Sequence, residues 1–456
     1  MNRPSIFPKL SERYQKELIE NLKKFVAINS VYDESTVSEE NPFGIGVSNA
    51  LNFIADLARK DGFQVTNYKN KVVEIIAGEG DKNITIMAHA DVVPAGNTGW
   101  KQNPFEVTEK RGVLCGRGVA DDKGPLLAAY YGLRTLVDNH LLGDYQVRFL
   151  VGGNEESGSL GIEYYFKDLK KPQPTYGFSP DAEYPLIFAE KGIINFEVTK
   201  EFSVPEIISI HGGVASNSVI EKCVVKMKKN QHFLDYLKEK KFDVEVSSTI
   251  KDMEVAFIGK AAHGATPECG FNAGIAALNA LAYYYEDKYF QQIVDLYSDV
   301  YGKGVNASAD SPDMHNNSLN VGLIDYENNK FSMVVNFRHV DTVKPDDMVK
   351  NIKEASKPFK VEVLSVSPLL YYPKDSVLVS TLLNAYQQET GDFKSQPKAI
   401  GGGTYAKEAD NVIAFGMEFP RWDSMMHSPG ECCKKEDLFK SIAIYARAIN
   451  DLGKKL

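Results

Sequence analysis

Very little in this 456-residue chain would staple it together or take it out of water. Only five cysteines occur, Cys115, Cys223, Cys269, Cys432 and Cys433, odd in number and without framework spacing. That excludes a disulfide scaffold, and reduced thiols in a cytoplasmic protein are the simpler expectation. No run approaches the roughly 18 apolar residues of a membrane span. The opening MNRPSIFPKLSERYQKE also lacks the apolar centre of a secretory signal. Basic charge is short as well: 52 Lys and Arg against 61 Asp and Glu leave a net charge of −9. Such a field argues against nucleic acid or an anionic membrane as the main partner. Internal repeats and low-complexity tracts are missing too. The remaining composition is that of an ordinary globular protein, too long for one core, so two or three domains are expected.

Apolar residues at helical spacing (Leu18, Leu22, Phe25 and Val26, then Ala50, Ile54, Leu57 and Ala58) predict helices before residue 70, broken by a polar loop near residues 33–44. Short apolar runs follow, each ending in a polar cluster. Residues 84–88 predict a buried strand that ends in His89 and Asp91. Residues 116–124 read as a tight glycine-containing loop, and 125–137 as a helix. Residues 145–151 predict a second strand, ending in Gly152-Gly153-Asn154-Glu155-Glu156. Strands separated by helices indicate an α/β sheet, and in such sheets ligands gather beyond the strand ends.

From about residue 193 the character changes to strand-like pieces (253–258, 319–324, 331–337) with a helix over 272–286. After Ser376 a helical pattern returns. It is followed by the loop Gly401-Gly402-Gly403-Thr404, a strand over 412–415, Met426-His427 and a last helix over 435–452. The polar clusters before and after the middle stretch belong together chemically. We therefore expect a first α/β domain of residues 1–192 and 376–456, interrupted by an inserted α+β domain of residues 193–375.

Five imidazole or carboxylate groups fall at expected strand or loop ends: His89, Asp121, Glu156, Asp181 and His427. Mixed nitrogen and oxygen donors without thiolate suit Zn²⁺, Mn²⁺ or Co²⁺ better than a structural zinc cage. Five such groups serve two metals if one carboxylate bridges, and two metals about 3.5–4 Å apart form a hydrolytic pair. Singly, the signals carry bland readings. His89-Ala90-Asp91 is a common triplet, in which Asp91 would hold the His89 ring. The adjacent Glu155 and Glu156 read as solvated loop acids, or as one ligand beside one proton carrier. Asp121 and Asp122 read as a turn that caps the next helix. A phosphate loop is set aside, because neither GxGxxG nor GxxxxGK[ST] is complete.

Taken in order, MAHADVVPAG, GRGVADDKGP, NEESGS, FSPDAEYP, GKAAHGATP, GGGTY and MMHSPGE resemble the motifs of the M20 metallopeptidase family, nearest to its bacterial PepV-like dipeptidases. The resemblance implies a two-metal, aminopeptidase-like catalytic domain whose insert is a lid. It implies that His89 and Asp181 hold one divalent ion, that Glu156 and His427 hold the other, and that Asp121 bridges them. Zinc is the family's usual ion, with manganese as the alternative. Asp91 would orient His89. Glu155 would be the general base acting on a metal-bridging water, and would then protonate the leaving amine. In the insert, His263 resembles a histidine that stabilises the oxyanion. Asn217 and Arg338 resemble residues that grip a substrate carboxylate, and Gly402 lies in the glycine run that lets backbone approach the substrate. The implied partner is a dipeptide, with neither nucleic acid nor membrane. The implied reaction is hydrolysis of the peptide bond in short unblocked peptides. Two alternatives are an N-acyl-amino-acid deacylase of the same fold and a non-catalytic binding relative, although the retained Glu155 and complete ligand set speak against the latter. Asn154 and Ser428-Pro429-Gly430 depart from the nearest dipeptidases without removing a ligand. His140, His211, His232, His315 and His339 are assigned to surface or packing roles, and Cys432 and Cys433 to ordinary thiols.

Overall fold

The computed structural model describes residues 5–96 and 98–456; the first four residues of the expected catalytic domain, and Asn97, lie outside the described residues. The chain forms two compact units. One comprises Met1–Phe188, Tyr372–Lys398 and Gly403–Leu456, and the other Ala189–Tyr371 with Ala399–Gly402. Gly402 therefore groups with the insert rather than with the last segment. Main-chain and side-chain bonds hold it there: Lys191 N–H donates to the Ile400 carbonyl over 3.1 Å, and the Arg338 guanidinium donates to the Gly401 carbonyl.

The first unit is built on a mixed sheet whose strands run in the order Gln64–Tyr68, Val72–Ala77, Gln146–Gly152, Asn83–His89, Tyr176–Ser179 and Val412–Ala414. Its centre is parallel. Ile84 lies opposite Val147 on one side and Tyr176 on the other, His89 lies opposite Gly152, and Val412 opposite Gly177. Every residue of Asn83–His89 is buried, as expected of a central parallel strand covered on both faces. Parallel pairing aligns the carboxyl ends of these strands, so the polar clusters after His89, Gly152 and Ser179 come out at one end of the sheet.

Helices cover the sheet. In Gln15–Val26, Leu18, Leu22 and Phe25 fall at helical spacing and are fully buried, each contributing about 1.5–3 kcal/mol. The helix expected from residue 125 is Lys123–Val137. It starts earlier because Leu126 N–H already donates to the Asp122 carbonyl over 2.8 Å, and Pro125 sits among the first residues, which have no intrahelical acceptor to lose. This helix crosses the last one, Lys435–Gly453, at Gly132.

The second unit has an eight-stranded antiparallel sheet. Its order is Val244–Ser248, Asp252–Ile258, Lys222–Lys228, Ile207–Gly212, Ser318–Glu327, Lys330–His339, Gly192–Glu201 and Lys360–Ser367. Burial alternates along Gly192–Glu201, the mark of a strand with one face on a core. Helices such as Ala273–Tyr285 supply that core, and Asn272 caps this helix by accepting from the N–H groups of Gly274 and Ile275. No helix among the described residues is long and apolar enough to cross a membrane.

The helix crossing at Gly132 gives a direct test of packing. A Cβ there would lie 2.9 Å from Tyr445 Cβ, 3.0 Å from the Ala446 nitrogen and 3.1 Å from the Ile442 carbonyl oxygen. Alanine raises helix propensity by about 1 kcal/mol, but two of these neighbours are backbone atoms, and overpacking costs about 1–3 kcal/mol. Gly132→Ala is therefore expected to lower the urea midpoint; a raised midpoint would show that the crossing can relax.

Candidate metal centre

The aligned strand ends of the first unit bring six acidic or imidazole groups together. His89 closes the strand Asn83–His89 and is fully buried. Its ring Nδ1 lies 3.0 Å from the Asp91 carbonyl oxygen and 3.4 Å from a carboxylate oxygen of Asp91. With Nδ1 used in this way, Nε2 faces acids: Asp121 Oδ1 at 3.0 Å and Asp181 Oδ2 at 3.5 Å. His427 Nε2 faces the other Asp121 oxygen, Oδ2, at 2.8 Å, and Glu156 Oε2 at 3.2 Å. Asp121 thus presents one oxygen to each imidazole. Donor atoms of His89, Asp121 and Glu156, and of His89, Glu155 and Asp181, converge within 4.8 Å.

Asp91 does more than face the His89 ring. Its two carboxylate oxygens accept the N–H groups of Glu155, at 3.1 Å, and Glu156, at 3.0 Å, and so fix the loop that carries the paired acids. Asp122 corrects the capping reading of the Asp pair: it stands at the helix N-cap position but its side chain makes no cap bond. Instead it accepts the backbone N–H of His89 over 3.0 Å. His427 sits in left-handed backbone at φ 60°, an uncommon state for a non-glycine residue.

Glu431 closes the MMHSPGE stretch, where nothing local in the sequence marks a role for it. It is fully buried. One of its oxygens accepts from the backbone N–H groups of Gly118, Ala120 and Asp121 over 2.9–3.2 Å. The other receives Arg117 Nη1 at 2.6 Å. One carboxylate therefore templates the whole loop that ends in Asp121. The only sequence signal for this was an acid four residues after His427, and nothing in that spacing points back to residues 117–121.

The electrostatics favour a cation. Burial, with Asp121 next, pushes Glu156 up to about 7. Burial also raises Asp181 and lifts Glu155 well above the carboxylate range. Burial would raise Asp121 too, yet its bonds to His427 and His89 outweigh it and hold the group low. Asp121 and Glu156 in turn push His427 up to about 11. Four acids, all buried or half-buried, share two imidazoles, an arrangement that is costly unless positive charge is supplied. Glu156 Oε1, buried, has no hydrogen-bond partner among the described residues. A nitrogen and oxygen donor set with a spare buried carboxylate oxygen fits divalent cations.

The remaining expected residues lie in the second unit and share one patch. Ser218 and His263 form an antiparallel bridge, and Gly264 N–H donates to the Asn217 carbonyl over 2.7 Å. Gly264 also sits so close to Asn336 that a Cβ would come within 3.1 Å of its Oδ1. That oxygen accepts Arg338 Nε at 2.9 Å, and Arg338 reaches the Gly401 carbonyl beside Gly402. Asn217 and His263 are exposed. Arg338 is buried, and the loss of hydration brings its guanidinium down to about 10. Among the described residues no carboxylate forms an ion pair with it. His339 is buried, while His211 is exposed and pairs with Asp325.

Glu431→Gln would set an amide NH₂ or a single oxygen against three N–H donors and a guanidinium. Breaking a buried ion pair costs about 3–5 kcal/mol. The expected result is a lower unfolding temperature together with weaker Zn²⁺ retention against a competing chelator. If both stay at the wild-type values, the carboxylate does not template the loop.

Comparison with known proteins places this architecture. The profile of Peptidase family M20/M25/M40 matches residues 85–451. A protein of Staphylococcus haemolyticus named "Putative dipeptidase" is 32% identical over 463 residues, covering 97% of this chain and 98% of its own. The di-peptidase Dug1p of Saccharomyces cerevisiae shares the fold with a TM-score of 0.60 at 15% identity, over 98% of each chain. An M20 family metallo-carboxypeptidase of Sulfolobus solfataricus does so with a TM-score of 0.59 at 17% identity, over 96% of this chain and 100% of its own. Matched across most of its length by the family profile, and by a full-length relative, this chain belongs to Peptidase family M20/M25/M40.

Proposed function

We propose that this chain is a dinuclear metallopeptidase that hydrolyses dipeptides with a free amino terminus. The observation that carries the reading is the Asp121 carboxylate, one oxygen toward His89 and the other toward His427. It divides the donors into two sets, His89 with Asp181 and His427 with Glu156, and leaves itself common to both. Two divalent cations, zinc or alternatively manganese, supply Lewis-acid polarisation of a carbonyl and acidify water. Glu155 belongs to neither set. Half-buried, and raised by desolvation and by its acidic neighbours Asp181 and Glu156, it is suited to take a proton at its carboxylate and return it to the departing amine. Asp91 positions both acids through their backbone N–H groups and holds His89 in one tautomer.

Selection for a dipeptide is assigned to the second unit. Arg338, buried and with no acidic partner among the described residues, suits a substrate C-terminal carboxylate, which its planar fork can grip with two bonds. Asn217 would share that role, and Gly402 would let backbone approach the substrate. His263 would stabilise the oxyanion. The dipeptidase names of the relatives support this reading over the deacylase alternative. The composition and the lack of a disulfide framework fit the cytoplasm.

Two measurements test the reading. The chelator-stripped chain, reconstituted with Zn²⁺ or Mn²⁺, is expected to cleave free dipeptides and to leave tripeptides and N-acetyl amino acids intact. Cleavage of acylated substrates alone would transfer it to the deacylases, and silence on all of them would favour a binding role. Glu155→Ala is expected to retain both metals while hydrolysis falls by about 10²–10⁴-fold, whereas His427→Ala loses metal. Full activity in Glu155→Ala would remove Glu155 as the base.

A further inference from the structure

Two of the five cysteines face each other directly. Cys115 ends the strand Val113–Cys115, Cys432 opens the antiparallel strand Cys432–Lys434, and the two are paired in register. Backbone bonds determine which kind of pair they form. Gly116 N–H donates to the Glu431 carbonyl over 3.1 Å, and Lys435 N–H donates to the Gly112 carbonyl over 2.8 Å. Hydrogen-bonded positions in an antiparallel ladder alternate with non-bonded ones. Gly116 with Glu431, Leu114 with Cys433 and Gly112 with Lys435 are therefore the bonded positions. Cys115 with Cys432 falls between them, at a non-bonded position where opposing Cα atoms approach to about 4.5 Å. Disulfides span Cα separations of about 4.4–6.8 Å, so a bond at this register needs little backbone movement. Both thiols are free and partly exposed, whereas the neighbouring Cys433 is buried.

We propose that Cys115 and Cys432 are a redox-modifiable pair that closes to a disulfide on exchange with a small disulfide such as glutathione disulfide. In the first step the Cys115 sulfur attacks one glutathione sulfur, a mixed disulfide forms and one glutathione leaves as its thiol. In the second, the Cys432 sulfur attacks the Cys115 sulfur and expels the second glutathione. Two protein thiols are oxidised to one disulfide, and one glutathione disulfide is reduced to two thiols. Cys432 is the resolving member: burial, with Cys115 next, pushes its thiol up to about 11, so little of it is thiolate near neutral pH.

The position gives the bond a consequence. One strand leads into the loop 116–121 that carries Asp121, and the other follows His427 and Glu431. A disulfide would tie the bases of both ligand-bearing segments together, and a cross-link between residues so far apart in sequence strongly restricts the unfolded chain. Without metal, the oxidised protein should resist heating better than the reduced one.

The test uses the full chain, stripped of metal, incubated with glutathione disulfide at mildly alkaline pH, alkylated and mapped without reduction. The expected product is a Cys115–Cys432 cross-linked peptide, absent from Cys115→Ser and from Cys432→Ser, and reversed by dithiothreitol. The oxidised wild type should also unfold at a higher temperature than its reduced form, a rise that Cys115→Ser does not show. Mixed disulfides alone, a Cys432–Cys433 link, or a cross-link with no rise in unfolding temperature would each overturn the proposal. The mapping is read on wild-type protein, so it stands even if a serine variant folds poorly.

Discussion

The arrangement of the first unit follows from one shared carboxylate. Asp121 contacts two imidazoles that enter from distant parts of the chain, His89 at the end of a central strand and His427 in a loop 306 residues beyond Asp121. Around it stand Asp181, Glu155 and Glu156, all raised first by burial and also by the Asp121 charge. An anionic cluster of this density is unfavourable in a largely desolvated site unless cations balance it. The supporting contacts can be understood as means of keeping these acids in place despite that cost. Asp91 anchors the two glutamates through their backbone, Asp122 anchors His89, and Glu431 anchors Asp121.

These anchors are carboxylates that accept backbone N–H groups, so the scaffold of the centre is itself acidic. Charge-assisted bonds of this kind are roughly twice as strong as neutral ones, and that offsets part of the burial cost of each anchor. Glu431 also has a buried counter-charge, Arg117.

Most of the fold was legible because its central strands are short apolar runs ending in polar residues, a pattern that survives in one dimension. Residues 84–88 and 145–151 were read as strands and fall within one residue of Asn83–His89 and Gln146–Gly152. The six acidic or imidazole groups at the centre could be proposed because each lies beside such a run or in an ordered motif. The anchors were less visible. Asp122 reads as a helix cap until the His89 N–H is seen to take its carboxylate. The work of Glu431 is a contact over 310 residues of sequence with Asp121, and no local period encodes it. The association of Gly402 with the second unit was hidden for a similar reason, since it depends on bonds from Lys191 and Arg338 to its neighbours.

The separation between Asp121 and His427, 306 residues, also bears on the order in which the molecule can be made. Closing a loop of that length costs about 5 kcal/mol of chain entropy, and His427 is synthesised long after Asp121. The second unit draws nearly all its residues from one continuous stretch and has the partners for its sheet much earlier during synthesis. Between the synthesis of Glu156 and that of His427, then, the growing chain carries His89, Asp121 and the paired glutamates without the imidazole that completes the set. Maturation of the centre in that sense waits on a segment that is made after the main stretch of the second unit.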